Sequence, residues 1–580
     1  MTVKKRIVRR PPVSDGHWSI DLPETLKQIY LSRGVTSCAD VDLSLSGLIP
    51  PGNLRHGQQA ANLIADAIVA RRKILLVGDY DCDGATSTAV AIRLLRSMGA
   101  LKVNYLVPNR FEFGYGLSPQ IVELALSDKP DLIITVDNGI SSIEGVASAN
   151  SHGISVIVTD HHLPGDSLPE ADAIVNPNQN GCDFPSKAAA GVGVIFYVMS
   201  LLRAELRARQ WFAAQGLPEP NLAEVLDIVA LGTVADVVPL DRNNRILVEQ
   251  GLKRIRAGKA HPGVLALIAV AGRDYQRVVA TDLGFAVGPR LNAAGRLDDI
   301  SVGIECLLSD SAERAQTLAE MLNAYNEDRK AIEVSMQKEA FAEVEQRLST
   351  GEDLPWGLCL YDDSWHQGVT GLLAARVREK VHRPVVVFAP ADDGVMWKGS
   401  GRSIPGFHLR DALDRVATLN PGLIDKFGGH AAAAGLSVAE DKLSEFCTQF
   451  DRVTREWLSE DDLSAVILSD GELPPEALTL DFAEQLRAAG PWGQAFPEPV
   501  FDGVFAVVQA KVVGQRHCKL VLDSGQGALV DAIQFNSPWA GQTLPDRVRV
   551  AFKLDVNRYR NQSNLQFIVD YLEASELPGR

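Results

Sequence analysis

Short apolar runs that end at acidic residues are the most regular pattern along the chain. The first is Ile74–Val77, and an unbroken apolar run of this length is typical of a parallel strand buried on both faces. From Ala85 to Met98 the apolar residues recur at helical spacing instead. The pattern therefore predicts a strand, an acidic turn over residues 78–84 and a helix, in that order.

Three further runs predict strands of the same sheet: Val103–Val107, Leu132–Val136 and Ile154–Val158. The second is followed by Asp137 and the third by Asp160. The carboxyl ends of parallel strands meet at one edge of a sheet, where open α/β folds bind their ligands. We therefore expect these acidic residues to lie near the acidic turn.

Beyond this sheet the pattern changes three times. Residues 312–348 carry a helical pattern without proline or glycine, which predicts a long helix that connects two domains. A second α/β pattern follows, and five short strands between residues 504 and 569 then suit a small β-barrel of the OB type. The predicted fold class is α/β, with a parallel-sheet core, the long connecting helix, a second smaller α/β domain and a C-terminal OB-like β-barrel.

Domain boundaries follow from these changes of pattern. Residues 1–50 hold proline-rich turn signals and are predicted to form a lead-in that packs on the core. The remaining boundaries place the core at 51–310, the connecting helix at 311–350, the second α/β domain at 351–462 and the barrel at 463–580.

Composition limits the class of protein. The chain has 580 residues, a net charge of −16 and an apolar content of 46%, so several soluble domains are expected. We expect no membrane partner, because there is neither an apolar run long enough to cross a bilayer nor a secretory signal. The seven cysteines include no C-x-x-C pair, which argues for the reducing cytoplasm. The negative charge argues against a protein that coats nucleic acid without selectivity, but it is compatible with a basic groove on an acidic protein.

Acidic and imidazole side chains supply the candidate chemistry. Asp79, Asp81 and Asp83 lie within five residues, and like charges this close repel one another unless a cation sits among them. Divalent metal ions prefer such oxygen ligands, and the pair His161-His162 adds nitrogen ligands after a strand. The alternative for the turn alone is a solvated acidic loop.

One more carboxylate and several predicted loops extend this set. Asp236 lies in the nearly continuous apolar segment 225–238, where it needs a partner or a metal ion, unless it only caps a helix or a turn. Four loops suit contact with phosphate or a base, and they hold Arg110 and Tyr115; Arg290, Asn292 and Arg296; Ser400 and Arg402; and His430, which precedes a predicted helix start. Each loop has the alternative of ordinary packing.

Taken together, these motifs resemble the DHH phosphoesterase superfamily, and most of all its single-strand-specific exonuclease branch. The motifs are Asp79-Tyr80-Asp81-Cys82-Asp83-Gly84, Asp137-Asn138-Gly139, Asp160-His161-His162, the segment around Asp236 and Gly428-Gly429-His430. The resemblance extends over nearly the whole chain, and in it the second α/β domain is similar to the DHHA1 domain. It implies an enzyme of DNA repair and recombination that releases 5′-mononucleotides from single-stranded DNA in the 5′-to-3′ direction.

The resemblance also implies roles for single residues. Two ions, Mn²⁺ or Mg²⁺, would be held by Asp79, Asp81, Asp83, Asp137, His161 and Asp236. Asp137 would bridge the ions and His162 would face the scissile phosphate, while Asp160 would fix a histidine tautomer. The substrate would be bound by Arg110, Tyr115, Arg290, Asn292, Arg296, Ser400, Arg402 and His430.

The predicted barrel carries cationic side chains and an aromatic ring that suit binding of single-stranded nucleic acid. These residues are Arg516, Lys519, Arg558, Tyr559 and Arg560. The alternative is a β-domain used only for protein contacts. The expected partner is single-stranded DNA, with a single-strand-binding protein and a helicase as candidate protein partners of a monomer.

Two other functions remain open. One is a related phosphodiesterase for short oligonucleotides or cyclic dinucleotides, against which the terminal barrel argues. The other is a non-catalytic replisome scaffold that has lost its ligands, which the intact set of acidic and histidine residues disfavours.

Overall fold

The structure is a computed structural model. It describes residues 5–14, 16–19, 22–108, 116–349, 353–391, 394–525, 529–559 and 562–575. The chain divides into two compact units. The first unit comprises residues 13–326 and 485–498, and the second unit comprises residues 1–12, 327–484 and 499–580.

Strands and helices alternate between residues 74 and 159, whereas residues 191–349 are mainly helical and residues 501–574 mainly strand. The strands are β1 (Lys5–Arg9), β2 (Ile74–Gly78), β3 (Val103–Leu106), β4 (Leu132–Val136), β5 (Ser155–Thr159), β6 (Ala173–Val175), β7 (Leu358–Tyr361), β8 (Val385–Pro390), β9 (Met396–Arg402), β10 (Lys426–Gly429), β11 (Ala433–Ala439), β12 (Ala465–Ser469), β13 (Phe501–Val513), β14 (His517–Asp523), β15 (Leu529–Gln534), β16 (Arg547–Tyr559) and β17 (Gln562–Ala574).

The helices include the long one that the sequence predicts. They are α1 (Glu24–Leu31), α2 (Cys38–Val41), α3 (Gly57–Val69), α4 (Cys82–Ser97), α5 (Pro119–Leu126), α6 (Ile143–Ser151), α7 (Gly191–Ala208), α8 (Trp211–Gln215), α9 (Leu226–Ala235), α10 (Arg242–Arg256), α11 (Pro262–Val270), α12 (Ala280–Asp282), α13 (Gly288–Leu297), α14 (Ser301–Leu308), α15 (Ala312–Ser349), α16 (Thr370–Val381), α17 (Leu409–Leu419), α18 (Leu443–Trp457) and α19 (Leu480–Ala488). Within the described ranges, none of them has the length and hydropathy that crossing a membrane requires.

A parallel sheet in the order β3-β2-β4-β5-β6 forms the centre of the first unit. β2 and β4 are buried along their whole length, as their unbroken apolar runs predict. Their register places Gly78 opposite Val136, and Val136 lies opposite Thr159 of β5. The residues that follow these three strands therefore meet at one edge of the sheet.

Helices α4, α7 and α9 pack together beside this edge. Close approach between α9 and α4 depends on Gly232, because a Cβ there would lie 2.1 Å from Oγ1 of Thr86. The C-terminal end of α9 is thereby brought toward the acidic turn that precedes α4.

The second unit contains a mixed sheet in the order β10-β11-β9-β8-β7, in which β7 and β8 are parallel. Phe388 from the sheet packs against Phe446 of α18, and Phe446 stacks on Phe450 one turn later. This apolar core confirms the predicted second α/β domain.

The last strands close into a barrel in the order β13-β14-β15-β17-β16. Three rings fill its interior, and the centroids of Phe552 and Phe567 lie 3.9 Å apart with Phe505 packed edge-on against both. A closed barrel of five strands confirms the predicted OB-like domain.

Three predictions of local structure are wrong. Gly288–Leu297 is a helix (α13) rather than part of a loop, Trp397–Ser403 is mostly strand (β9) rather than a loop, and the residues after Gly429 continue a β-hairpin rather than starting a helix. Glycine indicates a turn in sequence, but here it permits close packing. A Cβ on Gly399, for example, would lie 2.5 Å from the ring of Phe388.

The predicted lead-in is divided between the two units, which corrects the expectation that all of it packs on the core. β1 pairs in parallel with β12, from Lys5 opposite Ala465 to Arg9 opposite Ser469. The guanidinium of Arg9 also donates to the buried carboxylate of Asp502, at 2.9 and 3.0 Å. Residues 485–498 are predicted to belong to the barrel domain, but in the structure they belong to the first unit.

Candidate metal centre

The acidic turn between β2 and α4 is fixed by its own backbone. Asp81 caps α4, since its Oδ1 accepts hydrogen bonds from the N–H groups of Asp83 and Gly84 at 2.9 and 3.0 Å. Only glycine fits at position 84, because a Cβ there would lie 2.4 Å from the carbonyl oxygen of Asp79. The turn therefore holds three carboxylates at the edge of the sheet.

Asp83 is fully buried and meets the N-terminus of helix α7. Its Oδ2 accepts from the N–H of Gly191 at 2.6 Å, and its Oδ1 accepts from the N–H of Val192 at 2.9 Å. The helix dipole at this end favours a negative charge. Gly191 also admits Asp137, because a Cβ on this glycine would lie 2.6 Å from Cβ of Asp137. The start of α7 thus holds two carboxylates of the site.

Asp137 follows β4 with a left-handed backbone, φ 62°. Non-glycine residues adopt this conformation rarely, and such outliers concentrate at functional sites. The next residue secures it, since Nδ2 of Asn138 donates to the carbonyl groups of Val77 and Val136 at 3.0 and 2.9 Å. The ends of β2 and β4 are therefore tied together where the two aspartate-bearing turns begin.

Asp160 orders the two histidines after β5. Its Oδ1 accepts from the N–H of His161 and from the Nδ1–H of His162, both at 2.7 Å. Its Oδ2 accepts from the N–H of Ile140 at 2.9 Å. A carboxylate in this position places the proton of His162 on Nδ1, in agreement with the expected tautomer-fixing role of Asp160.

His161 is the point at which carboxylates from separate elements converge. Its Nε2 lies 3.1 Å from Oδ1 of Asp137, 3.5 Å from Oδ2 of Asp236 and 3.9 Å from Oδ2 of Asp83. Asp236 reaches this point from the C-terminal cap of α9, so it lies at a cap and also has the charged partner that its apolar segment requires. Three groups of side chains could each hold a metal ion, because within each group the ligand atoms lie within 4.8 Å of one another. The groups are Asp137, His161 and His162; Asp83, His161 and Asp236; and Asp79, Asp81 and Asp137.

Crowding and burial raise the pKa values of three of the carboxylates. Burial, followed by the charge of Asp81, raises the pKa of Asp83 to about 7. Burial and the neighbouring carboxylates raise the pKa of Asp137 and of Asp236 well above the ordinary value. Burial opposes ionisation of His162, but the hydrogen bond and charge of Asp160 prevail and raise its pKa to about 9.

This donor set fits divalent metal ions. Carboxylate oxygens are the ligands that Mg²⁺ and Mn²⁺ prefer, and an imidazole nitrogen makes Mn²⁺ the more natural of the two. A bound cation would take the place of protons as the counter-charge of the buried carboxylates. The residues that would hold the ions are Asp79, Asp81, Asp83, Asp137, His161 and Asp236.

The structure places Arg290 inside the first unit with acceptors from the protein, and the substrate contact expected of it stays a prediction. This side chain is only 8% exposed, and its Nε donates to Oδ1 of Asn323 at 3.0 Å. Its other nitrogens donate to the carbonyl groups of Ala286 and Val270. Arg290 thus joins α13 to α15 within the first unit, and three of its five N–H groups have acceptors in the protein.

Asn292 and Arg296 lie on the same helix, α13. Oδ1 of Asn292 accepts from the N–H of Cys82 at 2.7 Å, so this side chain positions the acidic turn. Gly295 lies against the same turn, because a Cβ there would lie 1.9 Å from the carbonyl oxygen of Tyr80. Arg296 is half-buried, and the substrate contacts expected of it and of Asn292 stay predictions.

Ser400, Arg402 and His430 belong to the second unit. Thr370 Oγ1 donates to Oγ of Ser400 at 3.0 Å, at the start of α16. Burial, and then the nearby charge of Arg378, lower the pKa of Arg402, so a negative ligand there would be stabilised. His430 is exposed in the turn of the β10–β11 hairpin.

The remaining predicted contacts are described only in part. Outside the described residues lie Arg110, Tyr115, Arg560 and the side chain of Tyr559. On the barrel Arg516 is exposed, whereas Lys519 pairs with Asp531 at 3.0 Å and Arg558 pairs with Glu484. The roles of these cations toward DNA stay predictions.

Several groups that hold the site are missing from the sequence analysis. They include the start of α7, together with Asn176 and Asn178, whose Nδ2 atoms donate to the carbonyl groups of His162 and His161 at 2.8 and 2.6 Å. The small residues before α7 were a usable signal. The asparagines carried none, because their partners are backbone groups that only the folded sheet brings near.

Comparisons with known proteins agree with this arrangement. Residues 73–233 match the DHH family, N-terminal domain, residues 356–456 match the DHHA1 domain and residues 469–571 match the RecJ OB domain. The chain is 54% identical to the single-stranded-DNA-specific exonuclease RecJ of Dickeya dadantii, over 97% of this chain and 98% of the relative. It is similar to the crystal structure of Thermus thermophilus RecJ in complex with Mn²⁺, with a TM-score of 0.79, 29% identity, and coverage of 95% of this chain and 76% of that one. For the Mg²⁺ complex the TM-score is 0.74 and the identity 28%, with coverage of 99% and 79%.

Proposed function

The chain belongs to the RecJ family of DHH phosphoesterases, and on this basis we propose that it is a metal-dependent exonuclease specific for single-stranded DNA. The observation that carries the proposal is the convergence of Asp83, Asp137 and Asp236 on His161. The barrel supports specificity for single strands, since OB domains bind them in a groove with cations and stacking rings.

The site supplies the charge and the proton donors that phosphodiester hydrolysis requires. Two Mn²⁺ or Mg²⁺ ions would neutralise the phosphate and lower the pKa of a water molecule. Asp137 belongs to two of the three ligand sets, as a carboxylate that serves both ions would. Asp160 keeps a proton on Nδ1 of His162, and the raised pKa of His162 lets its ring donate toward a phosphate oxygen that gains negative charge.

We further propose digestion in the 5′-to-3′ direction with release of 5′-mononucleotides, in DNA repair and recombination. Support comes from the second unit, where Arg402 is a half-buried cation close to another cation and Ser400 lies two residues before it on β9. A terminal phosphate would satisfy both side chains. Arg110, Arg296 and His430 remain proposed substrate-binding residues.

The proposed setting is the cytoplasm, with the protein acting as a monomer beside a single-strand-binding protein and a helicase. None of the seven cysteines forms a disulfide, which fits a reducing compartment. Light scattering of the purified protein tests the monomer, and binding to each purified partner protein tests the association.

Digestion of end-labelled strands tests the proposed activity and its direction. With Mn²⁺ or Mg²⁺, a 5′ label on a single strand should appear at once as a mononucleotide, while a 3′-labelled strand shortens gradually. Duplexes, and all samples with a chelator, should stay intact. Early release of a 3′ label would overturn the direction. Uncut single strands with every metal would overturn the function.

Strand length distinguishes this proposal from a phosphodiesterase for short oligonucleotides. Because an OB domain covers about 4–16 nucleotides, strands of about forty nucleotides should be digested at least as efficiently as strands of about five. A strong preference for the short strands would favour the other enzyme.

A further inference from the structure

We infer that Phe285 is a base-stacking residue, which packs against an unpaired base next to the scissile phosphate. This inference rests on the proposed function, because it assigns a residue to recognition of the single strand at the same site. It follows from the exposure of the ring, from the local backbone and from the position of the segment beside a metal ligand.

Phe285 is the most exposed large apolar side chain among the described residues, at 83%. Its neighbours Leu283, Ala286 and Val287 are buried, so the segment itself is fixed in the core. When a ligand covers an aromatic ring that is fixed in contact with water, the free energy of the system falls because apolar surface is removed from water. The ring is therefore placed to receive an apolar surface.

The backbone that carries Phe285 is unusual. Leu283–Val287 forms one π-helical turn between α12 and α13. Such turns are rare and occur frequently at functional sites.

The π-turn packs on the end of α9, beside the metal centre. A Cβ on Gly284 would lie 3.2 Å from the side chain of Val234, two residues before Asp236. Asp236 is itself 3.5 Å from Nε2 of His161. The turn that carries Phe285 therefore packs against the helix end that supplies Asp236, which forms part of the rim of the proposed site.

Val237 gives the rim a second exposed apolar side chain. It directly follows Asp236 and is 64% exposed, with φ 61°. A β-branched residue adopts this left-handed backbone only under strain, and strain of this kind is retained at functional sites. Phe285 and Val237 are each an exposed apolar surface of the kind that suits the flat face of a base.

The chemistry of the ligand follows from these surfaces. Every base has an apolar face that stacks on an aromatic ring, whatever its identity. In a duplex these faces are already stacked on neighbouring pairs, whereas an unpaired base can leave its neighbours. Phe285 would therefore contribute to specificity for single strands rather than to the hydrolytic step itself.

The inference is tested by combining a variant of the protein with a modified substrate and measuring the rate for each of the four pairs. The substrates are a normal single strand and a matched strand whose terminal nucleotides at both ends lack bases. Phe285→Ala should lower kcat/KM on the normal strand about tenfold, the size of effect that loss of one base–ring contact produces. On the baseless strand it should have no effect, and the wild-type protein should digest that strand about as slowly as the variant digests the normal one.

Controls separate stacking from folding and from metal binding. Phe285→Trp keeps a ring and should restore the rate. Leu101→Ala removes an apolar side chain that is 71% exposed before β3, at the opposite end of the strands, and should change neither substrate. Mn²⁺ affinity should be the same in all variants. Binding of the same strands in a chelator gives a second reading of the cycle.

Two results would overturn the inference: an unchanged rate for Phe285→Ala on the normal strand, or an equal loss on both strands. A wild-type protein that cuts neither strand would instead contradict the proposed function, so the two failures are distinguishable.

Discussion

Asp137 shows how a single residue combines strain with function. It adopts φ 62°, is 1% exposed and lies 3.1 Å from His161. Nothing about a β-strand end requires this conformation, and asparagine adopts it as readily as aspartate. A charge can therefore be removed here without a change of shape.

We expect Asp137→Asn to lower the rate of strand hydrolysis by more than about a hundredfold, since even groups that only orient metal ligands contribute tenfold to a hundredfold. Binding of single-stranded DNA should be largely retained, because the carboxylate serves the metal ions. The measurements are single-turnover hydrolysis with Mn²⁺ and fluorescence anisotropy of a labelled strand.

The matched control is Asp66→Asn, which removes an exposed carboxylate that pairs with Arg209. It should leave both measurements unchanged. A rate for Asp137→Asn close to that of the wild type would refute the metal assignment.

The carboxylate cluster also predicts how stability depends on pH. The raised pKa values of Asp83, Asp137 and Asp236 mean that the folded, metal-free protein binds more protons than the unfolded chain. Its stability should therefore fall as the pH rises from about 4 through about 7. The raised pKa of His162 acts in the same direction, because its contribution is lost between about pH 6.5 and the value of about 9.

In a chelator, Tm should thus decrease from about pH 6 to about pH 8, and the gain in Tm on adding Mn²⁺ should grow over the same interval. In chelator, the Tm of Asp236→Asn should be a few degrees higher than that of the wild type, since each kcal/mol of stability shifts Tm by about 2–4 °C. Adding Mn²⁺ should raise the Tm of this variant less than that of the wild type. Differential scanning calorimetry measures both. A Tm gain that is independent of pH would count against a crowded, proton-loaded cluster.

At this scale the sequence predicts well where the acidic residues lie, because each follows an apolar run that predicts its place at the sheet edge. Asp81, Asp83 and Asp137 lie where that reasoning puts them. Arg290 shows the limit, since an arginine in a glycine-rich segment reads as a phosphate ligand until its actual acceptors are known.

Among the elements, helix α13 holds the acidic turn in place. Asn292 accepts from Cys82, and Gly295 lies against the carbonyl group of Tyr80. A sequence pattern rich in glycine and alanine predicts a loop here, because it does not reveal that small residues are needed for close approach of two segments.

We expect Gly295→Ala to displace α13 from the turn, since the new Cβ would lie 1.9 Å from a backbone oxygen. Overpacking of this kind costs about 1–3 kcal/mol of stability. Hydrolysis and Mn²⁺ affinity should both fall about tenfold or more, as expected when groups that orient metal ligands shift.

Gly52→Ala is the control, because a Cβ at position 52 meets no atom within 4 Å. It should preserve hydrolysis, Mn²⁺ affinity and Tm. If Gly295→Ala behaved like this control, α13 would have no role in placing the carboxylates.

For the whole molecule, the order of domains follows from changes of hydrophobic period, so the core, the long helix and the barrel are predictable. The pairing of β1 with β12 is not, because its partners are separated by about 460 positions, as Lys5 opposite Ala465 shows. The same holds for residues 485–498, whose place in the first unit depends on contacts far along the chain.

The barrel should contribute to DNA affinity through charge. The double variant Arg516→Ala, Lys519→Ala should weaken binding to long single strands and reduce the slope of log K against log salt by about 1–2, because each phosphate contact contributes about 0.7 on a single strand. Titrations at several salt concentrations measure the slope.

The comparison is Lys259→Ala with Lys338→Ala, two exposed lysines outside the barrel, which should leave the slope unchanged. Equal slopes for the wild type and the barrel variant would mean that these two cations serve another partner.

The most direct test of the account is anomalous scattering from crystals soaked in Mn²⁺. We predict two peaks about 3.5–4 Å apart, surrounded by the side chains of Asp81, Asp83, Asp137, His161 and Asp236. A map with no peak among these side chains, or with ions bound only elsewhere, would contradict it.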